Sequence, residues 1–143
     1  MVFSTISTLS YLIIPITLCY KTCINFTGQI DTGATNTTIS SNAWKKLGKP
    51  KSKGFIKNWN AGGTIQKLPY YYVMIYFNNN FIDRIRVSKG EIGKYIDKNG
   101  KRKSLDVLIR MDFLSKFDIV FDGNDNNEIK ITMYYPSKSY LIE

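Results

Sequence analysis

The sequence predicts a single mainly β domain of 143 residues carrying one or two short helices. Three observations carry this expectation. Aromatic residues make up 14% of the chain, ten Tyr and eight Phe among them, and β-branched residues are frequent, which favours strands over long helices. Apolar runs of strand length recur throughout, each bounded by Gly, Asn or Asp turn signals. With 43% hydrophobic residues the chain can bury one core but is too short for two ordinary domains, and no stretch has the composition of a linker or repeat.

Residues 1–20 are rather apolar and include Leu12, Ile13, Ile14, Pro15 and Ile16. No Lys or Arg precedes Lys21, no small-residue cleavage site follows, and Pro15 interrupts the run, so it reads as a pair of buried strands and not as a signal peptide or a membrane span. Residues 10–20 and 23–31 are extended, with apolar and polar side chains alternating from Cys23 to Thr27. A sharp turn follows at Asp31-Thr32-Gly33-Ala34-Thr35, after which Thr37, Thr38 and Ile39 resume an extended pattern. Ser40 or Ser41 can cap a short helix that runs through Trp44 and Leu47 and stops at Gly48.

Residues Gly54–Trp59 and Ile65–Phe77 are strand-like on either side of Asn60, Ala61, Gly62 and Gly63, the composition of a flexible hairpin tip. Residues 70–77 are apolar on both faces, which predicts a central strand. Residues 78–80 turn the chain into another strand at 81–87. A second hairpin is expected at Lys98-Asn99-Gly100, joining Tyr95 and Ile96 to Val107, Leu108 and Ile109. A short helix at 111–117 and a last hairpin, 118–122 with 128–133, complete the pattern.

The chain contains no histidine, which excludes Ser-His and Cys-His catalysis and leaves a zinc site without its commonest ligand. Cys19 and Cys23 are the only cysteines, too few for a disulfide framework or a four-cysteine metal site, and are expected as free, partly buried thiols in a reducing, cytoplasmic setting. The net charge of +9 gathers at residues 45–57 and 94–103. Such runs can attract nucleic acid, but they read first as solvated loops.

Asp31-Thr32-Gly33 follows an apolar strand, continues as Ala34-Thr35, and is answered by Val107-Leu108-Ile109-Arg110-Met111-Asp112-Phe113-Leu114. Over residues 10–122 this order of motifs, with a glycine-tipped hairpin between them, resembles the retropepsin-like aspartic proteases that carry one Asp-Thr-Gly per subunit. The resemblance implies a retropepsin-like acid protease β-barrel with a flap hairpin, occupying the whole of residues 1–143 as one domain. It makes Asp31 the catalytic acid/base, Thr32 a hydrogen-bonding link across a subunit interface, and Gly33 the point of close backbone approach. It places Ala34, Ala61, Gly62, Gly63, Leu108 and Ile109 against a bound peptide or protein substrate, the two glycines at the flap tip. No metal and no organic cofactor is implied. Neither Asp112, Asp118 nor Asp122 is followed by Thr-Gly, so the second aspartate must come from a homodimer, and the chain ends, residues 4–11 and 134–142, are candidate interface strands.

Two such carboxylates share one proton, because like charges about 3 Å apart cannot both ionise, so one serves as base and the other as acid. Arg110 departs from the pattern, which has Gly there. Its side chain either turns away, to solvent or to a carboxylate such as Asp112, or faces Asp31, where a cation would oppose the acid half of the mechanism. Two other functions compete: a silent dimeric peptide-binding module of the same fold, and a basic β protein that binds nucleic acid through residues 94–103 and exposed tyrosines.

Overall fold

A computed structural model describes residues 1–8, 10–59, 62–97, 99–124 and 126–138, with the backbone alone for residues 58 and 59. The chain order is β1 (Val2–Thr8), β2 (Ile13–Cys19), β3 (Cys23–Ile30), β4 (Thr38–Ile39), α1 (Ser41–Lys46), β5 (Gly54–Trp59), β6 (Ile65–Phe77), β7 (Asn80–Lys89), β8 (Lys94–Ile96), β9 (Arg102–Ser104), β10 (Val107–Ile109), α2 (Met111–Leu114), β11 (Asp118–Gly123) and β12 (Glu128–Tyr134).

Strands run β2-β3-β10-β4-β7-β6 around a barrel that closes where β6 returns to β2, with Leu18 opposite Ile75. Closure removes sheet edges and gives each strand an inside and an outside. Alternation along the strands sends Ile14, Ile16 and Leu18, Phe26 and Ile30, Val73 and Ile75, Val107 and Ile109 inward, forming one core. The β5–β6 hairpin projects beyond the barrel, with Phe55 opposite Pro69 and Trp59 opposite Ile65. A second, three-stranded sheet, β1-β12-β11, packs its inner row of Phe3, Ile131 and Met133 onto this core. Phe3, Phe77, Phe113 and Phe117 join the two layers, with ring centroids 5.0–6.4 Å apart.

α1 begins where Ser40 accepts the Ala43 N–H at 3.0 Å and ends at Gly48, whose φ of +90° is a left-handed conformation that suits glycine. The terminal turn of the second helix is tighter than expected, so α2 stops at Leu114 and not at Phe117.

Several expectations are corrected. Residues 70–77 do not bury both faces: Tyr71, Val73, Ile75 and Phe77 point inward, while Tyr70, Tyr72 and Tyr76 are half-buried and Met74 exposed on the outside of the barrel. Residues 107–109 do not pair with Tyr95 and Ile96. Those pair with β9, and β10 instead inserts between β3 and β4, because its fully apolar run is stable only inside the barrel. The first two strands belong to different sheets, β1 lying along β12 of the same chain with Val2 opposite Tyr134, so these ends satisfy each other within the subunit. Residues 139–142 lie outside the described residues. Cys19 and Cys23 are not free: they face each other where β2 turns into β3, their Cα atoms 4.1 Å apart, and form a disulfide. A disulfide gives no reason to place the chain in a reducing compartment. Among the described residues no helix is long and apolar enough to cross a membrane.

Candidate active site

β10 runs parallel to β3 with Val107 beside Gly28 and Ile109 beside Ile30. This register requires a close approach. A Cβ on Gly28 would stand 2.6 Å from Ile109 Cδ1, which glycine alone avoids. Because the strands are parallel and in step, the residues that leave them, Asp31 and Arg110, emerge side by side.

The loop after β3 is fastened at each end by backbone bonds. Asp31 donates its N–H to Ile109 O at 2.9 Å, and the carbonyls of Ala34 and Thr35 accept from Met111 N and Asp112 N at 3.1 and 2.8 Å. Those two donors belong to the first turn of α2, where a helix has no internal acceptors, so loop and helix satisfy each other. Asp112 completes the join: its carboxylate accepts from Thr37 N at 3.0 Å and Thr37 Oγ1 at 2.6 Å, while Thr37 Oγ1 accepts from Arg110 N at 3.1 Å. Burial pushes the Asp112 carboxyl above its ordinary value, against the bonds from Thr37 that favour the charged form.

Within this frame Asp31 Oδ1 accepts the Gly33 N–H at 3.1 Å. Oδ2 accepts from Arg110 Nε at 3.2 Å, and the two side chains are 34% and 21% exposed. The Arg110 Nη1 also donates to Asn36 O and Thr38 Oγ1, both at 3.1 Å. Of the alternatives open for Arg110, the guanidinium thus takes the one facing Asp31, and Asp112 engages Thr37 instead.

Thr32 and Gly33 are exposed at the loop tip, and a Cβ on Gly33 would sit 3.4 Å from Asp31 Oδ1, an ordinary contact, so nothing within one subunit demands glycine there. Ala34 is half-buried beside α2. Gly62 and Gly63 are exposed at the end of the β5–β6 hairpin, Gly63 with φ of +79°, while Ala61 lies outside the described residues. Leu108 is half-buried, but Ile109 is 0% exposed and packs on Gly28, so the expectation that Ile109 walls a substrate pocket is corrected. Thr37 and Asp112, which hold the loop to the helix, were not among the expected site residues. The Asp after Arg110-Met111 was the available signal. No cluster of metal-binding side chains occurs among the described residues.

No protein-family model matches the sequence, and no curated protein matches it. Solved structures are similar. The crystal structure of a retropepsin-like aspartic protease from Rickettsia conorii matches with a TM-score of 0.55 at 15% identity, over 96% of this chain and 95% of that one. The retroviral protease-like domain of Ddi1 from Leishmania major matches with a TM-score of 0.49 at 14% identity, over 87% and 93%. At 15% identity the Rickettsia likeness bears on architecture alone: with its closed β-barrel the chain has the retropepsin-like fold.

Proposed function

We propose that the chain is an aspartic endopeptidase, a single domain that acts as a homodimer on extended peptide segments. The observation that carries this reading is Asp31 itself. Its carboxylate is partly exposed at the start of a loop that β10 and α2 hold by backbone bonds, with the Gly33 N–H on one oxygen. A second copy related by a twofold axis would bring its Asp31 opposite, and one proton shared between the carboxylates would let one act as base and one as acid.

The base carboxylate takes a proton from a water held between the pair, and the oxygen attacks the scissile carbonyl. The protonated partner donates to the developing oxyanion, and that proton then passes to the leaving amine. Thr32 would bond across the interface and keep the two loops in register. Gly33 would admit the substrate backbone, and Ala34 and Leu108 would lie beside it. Ala61, Gly62 and Gly63 would close over it as an added strand pairs with the groove. No metal or organic cofactor enters this chemistry, and neither membrane nor nucleic acid is its partner.

The Arg110 ion pair favours a second reading, a silent module that binds peptide without cutting it, since Oδ2 of Asp31 is already occupied. A diverse peptide library incubated between about pH 4 and pH 7, with products read by mass spectrometry, separates the two. Cleavage by the wild-type chain that vanishes in Asp31→Asn supports the peptidase. Silence from a demonstrably dimeric wild type rejects it in favour of the module.

A further inference from the structure

On the outside of the barrel, beside the Asp31 loop, β6 and β7 carry a ladder of aromatic and cationic side chains. Arg84 lies over the Tyr72 ring, its Cζ 4.3 Å from the centroid, and Arg86 over the Tyr70 ring at 5.2 Å. The two rings meet edge to face at 5.6 Å. A guanidinium that lies over a ring still has its N–H donors available to an anion. Asn36, Tyr72, Arg84, Arg86, Asp112 and Lys116 are among the residues that line a shallow recess open to solvent.

The charges in this recess are unbalanced in a particular way. Lys116 is paired with Asp83, and the Asp112 carboxylate is taken up by Thr37. Arg84 and Arg86 are exposed and have no carboxylate partner among the described residues. The recess is also contiguous with the candidate active site, because Arg110 bonds at once to Asp31 and to Asn36, and Asn36 lines the recess.

We propose that Arg84 and Arg86 form a subsite that binds an acidic side chain, Asp or Glu, of an extended peptide lying across Asp31, making acidic segments the substrate class. The inference rests on the peptide-binding reading of Asp31. A carboxylate suits two exposed guanidinium groups without a carboxylate partner better than any neutral group does, and bidentate pairing fixes its position. Single-stranded nucleic acid is the poorer occupant. It would need open aromatic faces to stack on, and here each ring already has a guanidinium over one face and is half-buried.

The test uses labelled nine-residue peptides carrying a single Glu at each position in turn, with Gln counterparts. Binding is followed by fluorescence anisotropy on the Asp31→Asn chain, and cleavage is followed separately on the wild type. Glu at one or two adjacent positions is expected to tighten binding roughly five- to tenfold over Gln. Arg84→Gln/Arg86→Gln abolishes that preference without weakening the Gln peptides, and Arg84→Glu/Arg86→Glu transfers it to Lys peptides. Equal binding of Glu and Gln peptides at every position, a preference that survives the double substitution, or no peptide binding at all overturns the proposal. So does an oligonucleotide that binds through Arg84 and Arg86 while Glu brings no gain. A Glu preference without wild-type cleavage upholds the subsite and rejects the peptidase, whereas cleavage indifferent to Glu does the reverse.

Discussion

Replacing Arg110 by Gly tests the site most directly. The guanidinium makes three bonds: to Asp31 Oδ2 at 3.2 Å, and to Asn36 O and Thr38 Oγ1 at 3.1 Å. The ion pair is partly exposed and contributes about 0.5 kcal/mol. The two other bonds contribute about 1 kcal/mol each. Arg110 precedes α2 without capping it, so glycine there changes the helix by a few tenths at most. The sum is about 2 kcal/mol, or a fall in Tm of roughly 4–8 °C for a chain of this size. Oδ2 is held only by the Nε bond, so freeing it costs between about 0.5 kcal/mol, for that bond alone, and about 2 kcal/mol, for release of the whole guanidinium; Arg110→Gly should therefore raise the cleavage rate by about twofold to thirtyfold. Arg110→Met, which keeps the stem without the charge, should give a smaller rise. Thermal melts and initial rates on one peptide are sufficient. An Arg110→Gly chain that loses the stability but cleaves no faster refutes the idea that Arg110 obstructs Asp31. One that melts with the wild type refutes the three bonds themselves.

Further predictions follow from the same neighbourhood. Burial holds the Asp112 carboxyl above its ordinary 3.8, so the folded chain binds that proton more tightly than the unfolded one. The resulting stability is complete below 3.8 and is lost as pH rises through the folded value, so in denaturant melts the advantage of the wild type over Asp112→Asn should shrink as the pH is raised from the acid side toward neutrality. An advantage independent of pH would mean that Asp112 titrates alike in both states. Gly28→Ala should cost about 1–3 kcal/mol, because Ile109 has no room to swing away, and Ile109→Val, which removes Cδ1, should recover part of it in a double-mutant cycle. Additive losses would reject the contact. Since each chain has one Asp-Thr-Gly, specific activity should fall on dilution in step with the dimer measured by ultracentrifugation, and activity proportional to protein below that point would exclude a shared site.

What could be read from the sequence is what short segments decide for themselves. The Ser40 cap, the glycine stop at 48 and the bounds of β5 and β6 follow from local propensity and turn chemistry, and the structure has them in place. What could not be read is set by partners distant in the chain. A run such as Val107-Leu108-Ile109 suits a hairpin with Tyr95 and Ile96 as well as a buried insertion, and only closure of the barrel selects the latter. Likewise Tyr70, Tyr72 and Tyr76 are apolar enough for a core, and only the presence of a single interior leaves them outside, where Arg84 and Arg86 cover two of them. The pairing of Cys19 with Cys23 depends on the β2–β3 register, which composition does not specify.

The direction of Arg110 belongs to the same class, and it shows how topology bears on chemistry. Once β10 lies parallel to β3 with Ile109 level with Ile30, position 110 must stand beside position 31 whatever residue occupies it. The α2 N–H groups are already engaged by Ala34 and Thr35, and Asp112 by Thr37, so the backbone around Asp31 has little freedom to withdraw from its neighbour. A glycine at 110 would leave Oδ2 of the carboxylate without this cation. An arginine, whose Nη1 finds two further acceptors on the loop, instead holds itself against Oδ2. On the proposed peptidase reading, hydrolysis would require either that a substrate or a second subunit compete for Oδ2 or that the guanidinium leave, and the side chain at position 110 would then set how readily Asp31 is used.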